Sequence, residues 1–88
     1  MSYTLNKVQE ILSYQFSLNK TFILPETELG LELGADSRDL LELMANFEVT
    51  FDIEIAYEDV TEIITVKDIV NYIENKKKLR DELYKNLF

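Results

Sequence analysis

The chain of 88 residues contains no cysteine and no histidine. Without cysteine there is no disulfide framework and no thiolate metal site; without histidine the commonest general base and metal ligand is missing as well. Little remains from which to build a self-contained catalytic centre, and no stretch has the spaced acids and central glycine of a calcium loop. Neither an enzyme nor a metal protein is expected. No apolar run approaches the roughly 20 residues that a membrane-crossing helix needs. The opening MSYTLNKVQE lacks the basic start and continuous apolar centre of a signal peptide, so a cytoplasmic location is expected. Proline occurs once and glycine twice, all between positions 25 and 34, which gathers those chain-breaking signals into one connection.

What is present fits one small soluble domain, with 47% apolar and 30% charged residues. A chain of this size buries roughly 60% of the surface of its unfolded state. Charge is concentrated in the middle. Between Asp36 and Glu62 nine acids face the single base Arg38, a net −8, whereas residues 65–88 are net +2, with Lys76, Lys77, Lys78, Arg80 and Lys85 near the end. An acidic centre repels a phosphate backbone and attracts basic protein surfaces, so nucleic acid is not an expected partner. The plainer account of the same acids is the solvated faces of helices.

Apolar spacing predicts helices. Leu5, Val8, Ile11, Leu12 and Phe16 share one face of a first helix from about Thr4 to Phe16. A connection of roughly 20 residues follows, too long to be structureless, and is expected to anchor through Phe22, Ile23, Leu29, Leu31 and Leu33. A second helix starts at Asp36, a capping residue with Asp39 three positions on, and runs to near Thr50 with Leu40, Leu41, Met44, Phe47 and Phe51 as its buried stripe. After FDIEIAYEDV, with a short helical turn at Glu58 to Thr61, Thr65 begins T-V-K-D and opens a last helix that turns Val66, Ile69, Val70 and Ile73 inward. FDIEI alternates like a strand, but a single strand has nothing to pair with and is discounted.

The stretch LGADSRD, residues 33–39, puts a serine where the second helix begins. An ordinary cap accounts for Asp36 and Ser37 taken alone. The surrounding pattern adds to it. LGADS at a helix start, a Phe-Asp pair at the helix end, Ile-Glu-Ile, a short acidic stretch and I-x-T-V-x-D ahead of an apolar helix with Tyr-Ile together resemble an acyl carrier protein. The likeness runs from about Val8 to Ile73, three quarters of the chain. It implies an all-α four-helix bundle with a long first loop and a short third helix, filling residues 1–75, with 76–88 as a basic helical extension. It further implies that Ser37 is esterified by a phosphopantetheine arm, drawn from coenzyme A, whose thiol holds an acyl group as a thioester. Physical chemistry agrees. A serine at the first helical position projects into solvent, where free amides and the positive end of the helix dipole favour a phosphodiester. No base is needed in this chain, because the transferase can bring both metal and base.

The same resemblance gives Asp36 a part in docking the phosphopantetheinyl transferase and sets Arg38, Asp39, Glu42 and Glu48 on the side of the second helix that meets basic partner enzymes. It suggests that an acyl chain tucks among Leu41, Met44, Phe47, Ile55, Val60, Ile63 and Val70; as a plain core these residues need no ligand. Bulky Phe47 points to short or medium chains, with Met44 the most adaptable member. Departures from the family pattern narrow the partner set. Arg38 stands where an exposed leucine is usual, and Glu48, Val49 and Thr50 thin the acidic face. Beyond the likeness, Leu79, Leu83 and Leu87 recur every four residues, fitting either a solvated extension or a docking segment. The expected protein is a monomeric carrier of acyl intermediates in a fatty-acid-like or polyketide-like pathway. A D-alanyl or other aminoacyl carrier and an unmodified interaction subunit are the alternatives.

Overall fold

Ser2 opens the first helix by accepting a hydrogen bond on its hydroxyl from the Leu5 N–H at 3.0 Å, which satisfies one of the orphan amides of a helix start. The computed structural model describes residues 2–87. Three α-helices carry the fold: α1 (Tyr3–Phe16), α2 (Ser37–Phe51) and α3 (Val66–Leu87). A 3₁₀ turn, Lys20–Phe22, lies in the first connection, and a 3₁₀ helix, Tyr57–Glu62, is the short third member of the four-helix arrangement. Among the described residues there is no strand.

The core is a single cluster to which each of the three α-helices sends its apolar stripe. Leu5, Val8 and Leu12 come from α1; Leu43, Met44, Phe47 and Phe51 from α2; Val66, Ile69 and Ile73 from α3. Burial of each such side chain contributes on the order of 1.5–3 kcal/mol. The α2 stripe differs from its sequence reading. Leu43 is fully buried, while Leu41, expected inside, is 47% exposed. At about 100° per residue, positions 40, 43, 44, 47 and 51 fall close to one line, and position 41 lies a quarter-turn away from it. In FDIEI, Phe51 and Ile53 are buried and Ile55 is half-buried against the core, so alternation there records the end of α2 and a turn anchored on its apolar side.

The long first connection anchors through fewer residues than its sequence suggests. Ile23 and Leu29 are buried, but Phe22 and Leu31 are 72% and 83% exposed. Backbone pairing replaces them. Leu29 N–H donates to Ile64 O at 2.9 Å, and the first amides of α3 donate back, Val66 to Thr27 O at 3.0 Å and Lys67 to Pro25 O at 2.8 Å. The orphan amides at the start of α3 are thereby satisfied by the loop, as part of an isolated antiparallel bridge between Glu28 and Thr65. Gly34 then takes a left-handed φ of 71°, which a side chain would strain, and turns the chain into α2.

Helix α3 continues without a break through residue 76 to Leu87. Its basic stretch is not merely solvated: Lys77 Nζ donates to Thr4 Oγ1 at 3.2 Å, and Arg80 Nη1 donates to Phe51 O at 2.7 Å and Asp52 O at 3.1 Å. Those two carbonyls lie at the C-terminal end of α2, where a cation is favoured. Among the described residues no helix is long and apolar enough to cross a membrane.

Candidate functional site

The N-terminus of α2 is closed by a reciprocal pair. Asp36 Oδ1 accepts from Asp39 N–H at 2.9 Å, and Asp39 Oδ2 accepts from Asp36 N–H at 3.1 Å, the capping-box geometry with aspartate in both places. Asp39 N–H, chiefly, holds the Asp36 carboxyl below the ordinary carboxylate range. From the other side Gln15 on α1 donates to Asp39 O at 3.1 Å, fixing the helix start against the bundle. Ser37 follows the cap at the first helical position and is exposed.

The neighbouring polar residues divide into occupied and open groups. Asp39 is half-buried and committed to the cap, and Glu48 is half-buried with Oε2 accepting from Ile55 N–H at 2.9 Å. Both expected partner acids therefore have structural work inside the molecule. Arg38 and Glu42 are exposed, and among the described residues neither forms an ion pair. Among the described residues no cluster of acids could hold a metal ion.

Of the seven apolar residues expected to converge, Met44, Phe47 and Ile63 are buried, Ile55, Val60 and Val70 are half-buried against the same cluster, and Leu41 is exposed and not part of it. The 3₁₀ helix Tyr57–Glu62 has no fully buried residue and no side-chain cap. A tyrosine holds it. Tyr72 on α3 donates from its hydroxyl to Asp59 Oδ2 at 2.6 Å and accepts from Ala56 N–H at 3.2 Å. Sequence reading used Tyr72 only as part of an apolar helix; the signal it carried was a hydroxyl one position before a core isoleucine, which needs a partner when half-buried.

The family model described as "Phosphopantetheine attachment site" matches residues 6–73. The chain belongs to the acyl carrier protein family. It is 42% identical over 78 residues to an acyl carrier protein of Cylindrotheca sp. (strain N1), an alignment covering 89% of this chain and 98% of that one. With the acyl carrier protein of Syntrophobacter fumaroxidans (strain DSM 10017 / MPOB) it shares 42% identity over 71 residues, 81% of this chain and 88% of the other. With that of Campylobacter jejuni subsp. doylei (strain ATCC BAA-1458 / RM4099 / 269.97) the figures are 36% over 75 residues, 85% and 97%. An acyl carrier protein transports and does not catalyse, and its prosthetic group is a covalently attached phosphopantetheine. When bound, that group supplies a terminal thiol for thioester formation. The start of α2 has the chemistry to hold it: an exposed hydroxyl that no described residue hydrogen-bonds, at the positive end of a 15-residue helix, beside the cation of Arg38.

Proposed function

We propose that Ser37 is the attachment point of the phosphopantetheine arm and that the protein is a specialised carrier of acyl intermediates in fatty-acid-like or polyketide-like biosynthesis. The observation that carries this reading is the exposed Ser37 hydroxyl directly behind the Asp36–Asp39 cap. Asp36 keeps the helix end in register for the incoming phosphate and presents one carboxylate edge to the transferase. Arg38 offsets the two capping carboxylates where a phosphodiester would otherwise meet only like charge.

Partner enzymes with basic docking surfaces are met by Glu42, with the exposed Arg38 beside it narrowing which partners dock, whereas Asp39 and Glu48 act through the geometry of the helix end and of the second connection. The acyl chain enters beneath the 3₁₀ helix, toward Met44, Ile63, Val60 and Val70. Fully buried Phe47 sets a floor that favours short or medium chains. The experiment is intact mass of the full chain after incubation with coenzyme A and a broad-specificity transferase. Wild type gains the mass of the arm and Ser37→Ala does not. Gain by Ser37→Ala would overturn the site, and no gain by wild type with any transferase would favour an unmodified interaction subunit.

A further inference from the structure

The C-terminal half of α3 leaves the body of the protein with an uncovered apolar stripe. Leu79, Leu83 and Leu87 are 55%, 68% and 72% exposed, and Tyr84 beside them is 54% exposed. Single exposed leucines need no explanation, but a contiguous set marks a contact surface. With Ile53 these side chains line an open groove of about 570 Å³ between α3 and the turn that follows α2. Its two walls carry opposite charge, Asp52 and Glu54 on the turn and Lys76 on α3, where Arg80 is already paired with Asp81 at 2.9 Å. Among the described residues Asp52, Glu54 and Lys76 form no ion pair.

We propose that this groove is the pairing face between two copies of the chain, each laying its leucine stripe along the groove of the other. A two-fold arrangement brings the acidic wall of each copy opposite the basic wall of its partner, so one face is complementary to itself. A partner of a single charge sign would be drawn by one wall and repelled by the other. The net charge argues the same way. Residues 36–62 hold an excess of −8, while residues 65–88 are net +2, so α3 is the surface on which two copies approach with least repulsion. Ser37 and Asp52 stand at opposite ends of α2, about 22 Å apart at 1.5 Å per residue. Pairing therefore leaves both Ser37 hydroxyls open, and the inference does not depend on the arm.

Four large side chains and a charged rim make a small interface, so dissociation at about 10–100 μM is expected. Sedimentation equilibrium of the full chain, from low micromolar to near-millimolar concentration, should show mass rising from monomer to dimer. Leu83→Glu, with helicity checked by circular dichroism, should weaken association at least about tenfold. Lys76→Glu and Glu54→Lys should each weaken it too, and an equimolar mixture of the two should restore it, because only the mixed pair has opposite charges at both contacts. A wild-type chain that stays monomeric throughout would overturn the proposal and give the groove to a different chain. So would a mixture that associates no better than its parts.

Discussion

Two aspartates govern the starts of α2 and α3, and their chemistry shapes how the protein responds to acid. The Asp36 carboxyl is held low by Asp39 N–H, and the Asp68 carboxyl by the amides of Thr65 first and Ile64 next. In the unfolded chain both titrate near the ordinary aspartate value of about 3.9. A depressed folded pKa means that the unfolded state binds the proton more readily, so the stabilisation is complete above about pH 5 and is lost as pH falls through the folded values. Asp36→Asn together with Asp68→Asn should flatten the acid limb of stability while sparing most of the capping at neutral pH, since asparagine also caps. Urea midpoints measured across the acid range check this; an equally steep limb in the double variant would assign it to other carboxylates. Arg38 poses the other single-residue question. Its guanidinium is exposed, and docking it into an apolar pocket costs desolvation that a leucine does not incur. Arg38→Leu is expected to raise acyl loading by general fatty-acid enzymes severalfold with no change in unfolding midpoint. Equal rates across general and pathway-dedicated enzymes would remove Arg38 from recognition.

The 3₁₀ helix Tyr57–Glu62 is the element most dependent on its neighbours. It buries no residue fully, so polar ties carry much of its placement, Glu48 to Ile55 from α2 and Tyr72 to Ala56 and Asp59 from α3. Tyr72→Phe removes a donor and an acceptor together and should cost about 1 kcal/mol locally. The expected readout is faster hydrogen exchange at the Ala56 amide, with α1 amides unchanged; uniform acceleration would mean that Tyr72 supports the whole fold instead. Burial first, then the hydrogen bond to Asp59, pushes the Tyr72 phenol up to about 12. The tie is therefore fully present below the ordinary tyrosine value of about 10 and is lost only as pH rises through about 12. The same elements mark where sequence reading succeeds. The starts of α2 and α3 were legible because their caps are local, Asp36 with Asp39 and Thr65 with Asp68, and so were the stripes of α1 and α3, which follow from spacing alone. Leu41 is a misreading that spacing itself corrects, since it stands a quarter-turn from the buried stripe while Leu43 lies on it. The exposed Phe22 and Leu31 and the duties of Glu48 and Tyr72 were not legible, because each depends on what a distant segment brings alongside.

At the scale of the molecule, the final helix is both a bundle member and an arm, and the charged residues along it decide where one role ends. The family-model match ends at residue 73, which suggests a boundary there, yet the helix runs straight through that point. Among the described residues Ile73 is the last fully buried side chain, but two polar attachments lie beyond it. Lys77 reaches Thr4 at the start of α1, and Arg80 holds the last carbonyls of α2. Hydrogen bonds from a charged donor to otherwise open carbonyls are worth about 1.5–3 kcal/mol, a large share of the 5–15 kcal/mol typical of a domain. A chain ending at residue 75 should accordingly remain folded but melt roughly 10 °C lower, whereas one ending after Glu82 should keep nearly the full melting temperature, because residues 82–87 are all exposed. Arg80→Ala in the intact chain should reproduce much of the loss. Thermal unfolding of the three variants beside wild type separates the contributions. If the chain ending at residue 75 melts with wild type, the attachments of Lys77 and Arg80 add nothing, and the helix beyond Ile73 is an appendage to the carrier domain.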